Sequence, residues 1–189
     1  MTGAIVRFLT SLKRDARGVA AVEFAFIAPV MIVFYFGMVE ACQIMIADRK
    51  TVKAAAAMGD LIAQSGSTIT LTGSGGVNDV LSMGDTLMSP FATGTNLKIC
   101  VASITANAAN TIKTVDWSRS TNGATCPAKS TTVTSVPTGL ISGGQSVIMS
   151  TVTYTYTGSL QMVLHTTPIF SKTFYHKPRK VTTITCPTC

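Results

Sequence analysis

Few residues in this chain have types and spacings suited to chemistry. Cys186-Pro-Thr-Cys189 has Cys-x-x-Cys spacing, Cys100 and Cys126 lie 26 residues apart, and Cys42 stands apart from the rest. Reactive dithiols sit at helix N-termini that lower a thiol pKa, and no helix follows Cys189 in this sequence. A structural clasp is therefore favoured over a redox pair. The set Cys100, Cys126, Cys186 and Cys189 also has a zinc reading, which an oxidising compartment disfavours. His165 and His176 are the only histidines, and no Glu follows Glu40, so five Asp supply all the later carboxylates. There is no phosphate-binding glycine loop, no His-Glu-x-x-His and no nucleophile elbow. Catalysis, a metal and a cofactor are not expected, and the histidines read as surface or core residues. Lys177-Pro-Arg-Lys180 is too short for a nucleic-acid footprint.

The remaining candidate is Glu23, a carboxylate alone in an apolar run. From Val19 to Ala47 only Glu23 and Glu40 are charged, and Phe24–Val39 carries no charge at all. A bilayer core of about 30 Å needs about 20 such residues in a helix. The run is too long for the h-region of a cleavable secretory signal, so it reads as a transmembrane helix over 19–47. A carboxylate inside it needs a partner, because an Asp at a helix centre costs roughly 2.5–3.5 kcal/mol on insertion scales. Glu40 lies seventeen residues further on, about 26 Å along the axis, and reads as an interfacial carboxylate at the opposite face. Pro29 lacks an amide proton and should kink or loosen the helix.

Composition places these elements. Charged residues are 12% of the 189, about half the usual share, which excludes a disordered chain and disfavours a cytosolic enzyme. Arg7, Lys13, Arg14 and Arg17 precede the span, and Arg49, Lys50 and Lys53 follow it. That asymmetry leans weakly to a cytoplasmic N-terminus. Residues 65–189 are rich in Ser, Thr, Gly and Asn and hold four of the five cysteines, which suits an extracytoplasmic domain. The basic residues there are scattered and read as solvated surface, with contact to anionic lipid permitted.

Past the membrane, Val52, Ala55, Ala56, Gly59, Ile62 and Ala63 keep helical spacing, so one helix should continue over 48–64 and pack on a domain until Ser65-Gly-Ser stops it. Val77, Val80, Leu81, Gly84, Leu87 and Met88 predict a second helix that ends at Ser89-Pro90. Strands are expected at Leu97–Thr105, Thr111–Ser118, Ser146–Thr157 and Lys180–Cys186. The segment Ser120–Gly144 reads as a long loop with few core residues, and Trp117 as a buried sheet anchor. The fold class is α+β, a long transmembrane and amphipathic helix packed on a small antiparallel sheet, with a globular domain over 65–189.

Lys13-Arg-Asp-Ala-Arg-Gly-Val-Ala-Ala-Val-Glu-Phe resembles the class III signal of type IVb pilins and pseudopilins. The wider phrase RGVAAVEFAFIAPVMIVFYFGMVE resembles the TadE-like family of the tight-adherence (Flp) pilus system, over about residues 13–64, with a weaker echo at Val115-Asp-Trp-Ser-Arg. The resemblance implies a basic leader, 1–18, cut by a prepilin peptidase between Gly18 and Val19. It implies recognition and assembly roles for Glu23 and Phe24, a pilin-like lollipop shape, and other pilins and the assembly machinery as partners. Length favours a minor pseudopilin in the bacterial inner membrane. The amine freed on Val19 would lie one helical turn from Glu23, able to pair within the chain or across subunits. The alternatives are a permanently anchored binding module and, last, a thiol oxidoreductase using Cys186 and Cys189.

Four extracytoplasmic cysteines allow three pairings, which sequence alone does not separate. Cys100–Cys126 with Cys186–Cys189 is favoured, because the first would close a poorly cored region and the second would clasp locally, leaving Cys42 free.

Overall fold

The structure, a computed structural model, describes residues 18–158 and 167–189. The leader before Gly18 and His165 lie outside them. Helix α1, Val19–Ala63, runs 45 residues and continues through Pro29. Its Ala-rich outer part buries Ala47, Thr51, Ala54, Ala55, Met58, Gly59, Ile62 and Ala63, a stripe at spacings of three and four that marks one helical face. The Gln64 amide donates to the Asp60 carbonyl at the C-terminus, and the following Ser65 amide donates to Ile62.

Helix α2, Val77–Met88, packs on α1 through Val77, Val80, Leu81, Gly84 and Met88. At Gly84 a Cβ would lie 2.6 Å from both Met58 Cε and Ile99 Cδ1, so a side-chain-free position sets the approach of α2 to α1 and the sheet.

The sheet is antiparallel with strand order β2-β1-β3-β4, the strands being β1 Leu97–Ala106, β2 Lys113–Thr121, β3 Ser146–Thr155 and β4 Ile169–His176. A long apolar helix with a small four-stranded antiparallel sheet is the α+β fold that the sequence led us to expect. The fourth strand differs from the reading. Lys180–Cys186 forms no strand beyond a single bridge of Thr185 to Thr68, and β4 lies earlier. The β-branched run Val181-Thr-Thr-Ile-Thr instead crosses the edge of the core as a strap. It is held where Trp117 Nε1 donates to the Ile184 carbonyl at 2.8 Å and Ser146 N donates to Thr182.

Apolar residues fill both sides of the sheet. Leu97, Ile99, Val101, Ile148, Val152 and Tyr154 meet α1 and α2. On the other face Ala102, Ile104, Val115, Val147 and Met149 are covered by Val136 and Ile141. The Ser120–Gly144 segment therefore does supply core, and its first two residues complete β2. Ala124, Cys126, Val133 and Leu140 add partly buried surface to that cover, and Tyr175 of β4 joins it by donating to the Ser135 carbonyl.

Candidate assembly site along the N-terminal helix

Among the described residues, the domain engages α1 only from its middle. Every residue from Val19 to Val39 is exposed or half-buried, and Phe24, Phe26, Val30, Val33, Phe34 and Tyr35 each expose more than 60% of their surface. At 1.5 Å per residue this free section is about 30 Å long, the thickness of a bilayer's hydrocarbon. Its apolar side chains cannot be left in water at roughly 25 cal/mol per Å². It is an N-terminal membrane anchor by length and composition.

Gly18 stands at the start of α1, and beyond its chain neighbours and the adjoining helix backbone no described atom lies within 4 Å of a Cβ built on it. Packing among the described residues does not require glycine there. Val19 and Glu23 follow one turn apart on the exposed helix, with Phe24 70% exposed. Glu23 has no ion-pair partner among the described residues. The structure thus places Gly18, Val19, Glu23 and Phe24 at the exposed tip of the anchor, with Pro29 also exposed. All five lie far along the helix from the four domain cysteines.

A collar of polar contacts fixes the other end. Glu40 is 4% exposed rather than open at an interface. Its Oε1 faces Gly158, where a Cβ would come within 2.7 Å, and its Oε2 has no hydrogen-bond partner among the described residues. Tyr156 Oη donates to Gln43 Oε1 at 3.1 Å. Burial, and then the nearby Glu40, push the Tyr156 phenol above its ordinary pKa. Beyond the collar, Lys172 of β4 pairs with Asp48 at 2.7 Å, and Arg179 pairs with Asp60. Lys50 Nζ donates to the Leu87 and Ser89 carbonyls at the end of α2, a cation placed where helix carbonyls lack partners.

Cys100 and Cys126 are joined, as are Cys186 and Cys189, with Cα atoms 5.4 Å apart in each pair. Cys42 is free and exposed on α1. His176 lies on the α1 side of β4, against Gly59. Among the described residues no three His, Cys, Asp or Glu side chains gather as a metal site. Nothing in the sequence signals the close approaches at Gly59 and Gly84, where each glycine merely completes a helical period.

Residues 18–59 match the family model for TadE-like protein. The TadE-like segment begins at Gly18 and ends at Gly59, so it contains the free anchor, Glu40 and Gln43 of the collar and most of the docking stripe, but none of the sheet. Comparison with curated proteins and with solved structures returned no match.

Proposed function

We propose that the chain is a minor pseudopilin-like component of a tight-adherence (Flp, type IVb) pilus, structural rather than enzymatic. A prepilin peptidase cuts between Gly18 and Val19, while α1 holds the protein in the bacterial inner membrane with its N-terminus cytoplasmic and its domain outside. The observation that carries this reading is the TadE-like anchor itself, 21 residues that no described part of the domain buries, with a lone carboxylate one turn from Val19. Cleavage would replace a basic leader by one α-amine that Glu23 can neutralise. Between subunits the same pair would set axial register, the best-attested use of a polar group in an apolar seam. Membrane lipid, other pilins and the assembly machinery are the partners; no nucleic acid is expected.

Glu23→Gln keeps the size and removes the charge. With Glu23→Gln, processing should continue while recovery of the chain in sheared or affinity-purified assemblies falls at least several-fold. Recovery equal to that of the unsubstituted chain would make Glu23 a tolerated interfacial carboxylate.

A permanently anchored binding module is the second reading. It is favoured by a cleft of about 300 Å³ on the outer sheet face, lined by Lys98, Thr151, Thr153 and Ser171. An unprocessed leader would move the interpretation there.

A further inference from the structure

We propose that neighbouring copies of this chain join head to tail through their sheets, the outer edge of β4 in one copy pairing with the free part of β2 in the next. This rests on the proposed assembly role, which stands several copies in one membrane.

Strand direction carries the inference. Lys172 meets Asp48 and His176 meets Gly59, so β4 runs away from the membrane alongside α1. The antiparallel order then sends β3 back, β1 away and β2 back toward the membrane. The two edge strands of one sheet therefore point in opposite directions. Two upright copies set side by side place β4 against β2 as an antiparallel pair, and each anchor stays in the bilayer. Antiparallel pairing of β4 with a second β4 would turn one anchor out of the membrane.

Both edges are open where they would meet. β4 pairs only with β3 among the described residues. On β2 the segment around Ser130–Val133 covers Lys113 to Val115 through three backbone hydrogen bonds, whereas along Asp116–Thr121, among the described residues, only the Thr121 carbonyl takes such a bond, from Ala124 in the turn that follows, with Cys126 Sγ 3.6 Å from the Arg119 carbonyl. The uncovered parts stand at matching heights, because three rows cross the sheet from edge to edge. These rows run from Thr121 through Ile99 and Val152 to Lys172, from Arg119 through Val101 and Ser150 to Phe174, and from Trp117 through Ser103 and Ile148 to His176. One pair of opposite charges is available to the junction, beside the exposed cation Arg119 of β2. Asp85 of α2 lines the cleft beside Thr121 at the β2 edge. Arg49 is exposed on α1, next to Asp48, the partner of Lys172. Unpaired strand edges are templates for another chain, and opposite charges set the register of the approach.

The test uses the full chain in membranes, mixing unlabelled with nitrogen-15-labelled copies. A photoreactive benzophenone amino acid replaces Thr173, an exposed residue of β4, and a second variant carries it at Ile32 in the free anchor. The account expects adducts from position 173 to peptides within 116–121 of a differently labelled copy. Asp85→Lys should lower their yield several-fold, and adding Arg49→Asp should restore it. Adducts from position 173 to another copy's β4, or none from 173 while Ile32 still cross-links copies, would overturn the sheet contact and leave assembly standing. No inter-copy adduct from either position would overturn both. A yield unchanged by Asp85→Lys would count against the junction.

Discussion

Gly59 of α1 lies directly beneath the imidazole of His176, so close that a Cβ at position 59 would sit 2.4 Å from His176 Cδ2. The absence of a side chain there lets the outer helix rest on β4. Alanine is the better helix former by about 1 kcal/mol, but overpacking a closed seam costs about 1–3 kcal/mol. Gly59→Ala should therefore destabilise the domain when His176 is present and stabilise it when His176 is replaced by Ala. Thermal unfolding of the four proteins in detergent measures the sign change, and equal effects in both backgrounds would remove the contact from the account.

Acid should loosen the same seam. Burial holds the His176 pKa below the ordinary histidine value, nearby Asp60 raises it in part, and Arg179 lowers it again. Its Nε2 and the Ser150 hydroxyl are both buried without hydrogen-bond partners among the described residues. The unfolded chain takes the proton first, at about pH 6.5. His176 thus contributes stability that is present above that pH and is lost as pH falls toward the lower folded value. Denaturant midpoints measured from pH 7.5 to 5 should fall more steeply for the unsubstituted protein than for His176→Gln.

Joining Cys100 to Cys126 ties β1 to the chain just beyond β2, 26 residues later. Cys100→Ser with Cys126→Ser should cost about 2–4 kcal/mol by freeing that loop in the unfolded chain. The pair Cys186–Cys189, three residues apart, closes a shorter loop and should contribute less. Non-reducing peptide mapping of protein from its own compartment should recover these two pairs with Cys42 free. A Cys100 linked to either C-terminal cysteine would refute the pairing.

Trp117 is the peg for the strap that follows β4. Trp117→Phe keeps most of the buried ring but leaves the Ile184 carbonyl without its donor, at a cost of about 1–3 kcal/mol. Hydrogen exchange should rise over residues 180–186 before it rises in β1 or β3. A uniform rise across the sheet would mean that the strap does not open separately.

Periodicity makes both helices and three strands legible, since Val77–Met88 and Ser146–Thr155 each present one continuous apolar face. β4 escapes for a physical reason. Its inward row is Phe170, Lys172, Phe174 and His176, and only the distant Asp48 makes a lysine acceptable on that face. Lys180–Cys186 misleads in the opposite sense, because β-branched residues suit any extended backbone, whether paired or strapped. Glu40 reads as interfacial because sequence gives its depth along the helix but not the chain that folds over it near Gly158. The one-turn spacing of Val19 and Glu23 is read from the sequence directly, whereas cleavage and assembly roles for Gly18 to Phe24 rest on the resemblance and on the proposal above.

The mature N-terminus tests the central claim most directly. The full chain is co-expressed with a prepilin peptidase that processes other substrates in the same cells, extracted from the membrane and measured by intact-mass and N-terminal peptide mass spectrometry. The account predicts a chain beginning at Val19, and a precursor that accumulates when Gly18→Val crowds the scissile backbone. A chain that keeps residues 1–18 while the other substrates are cut would contradict it.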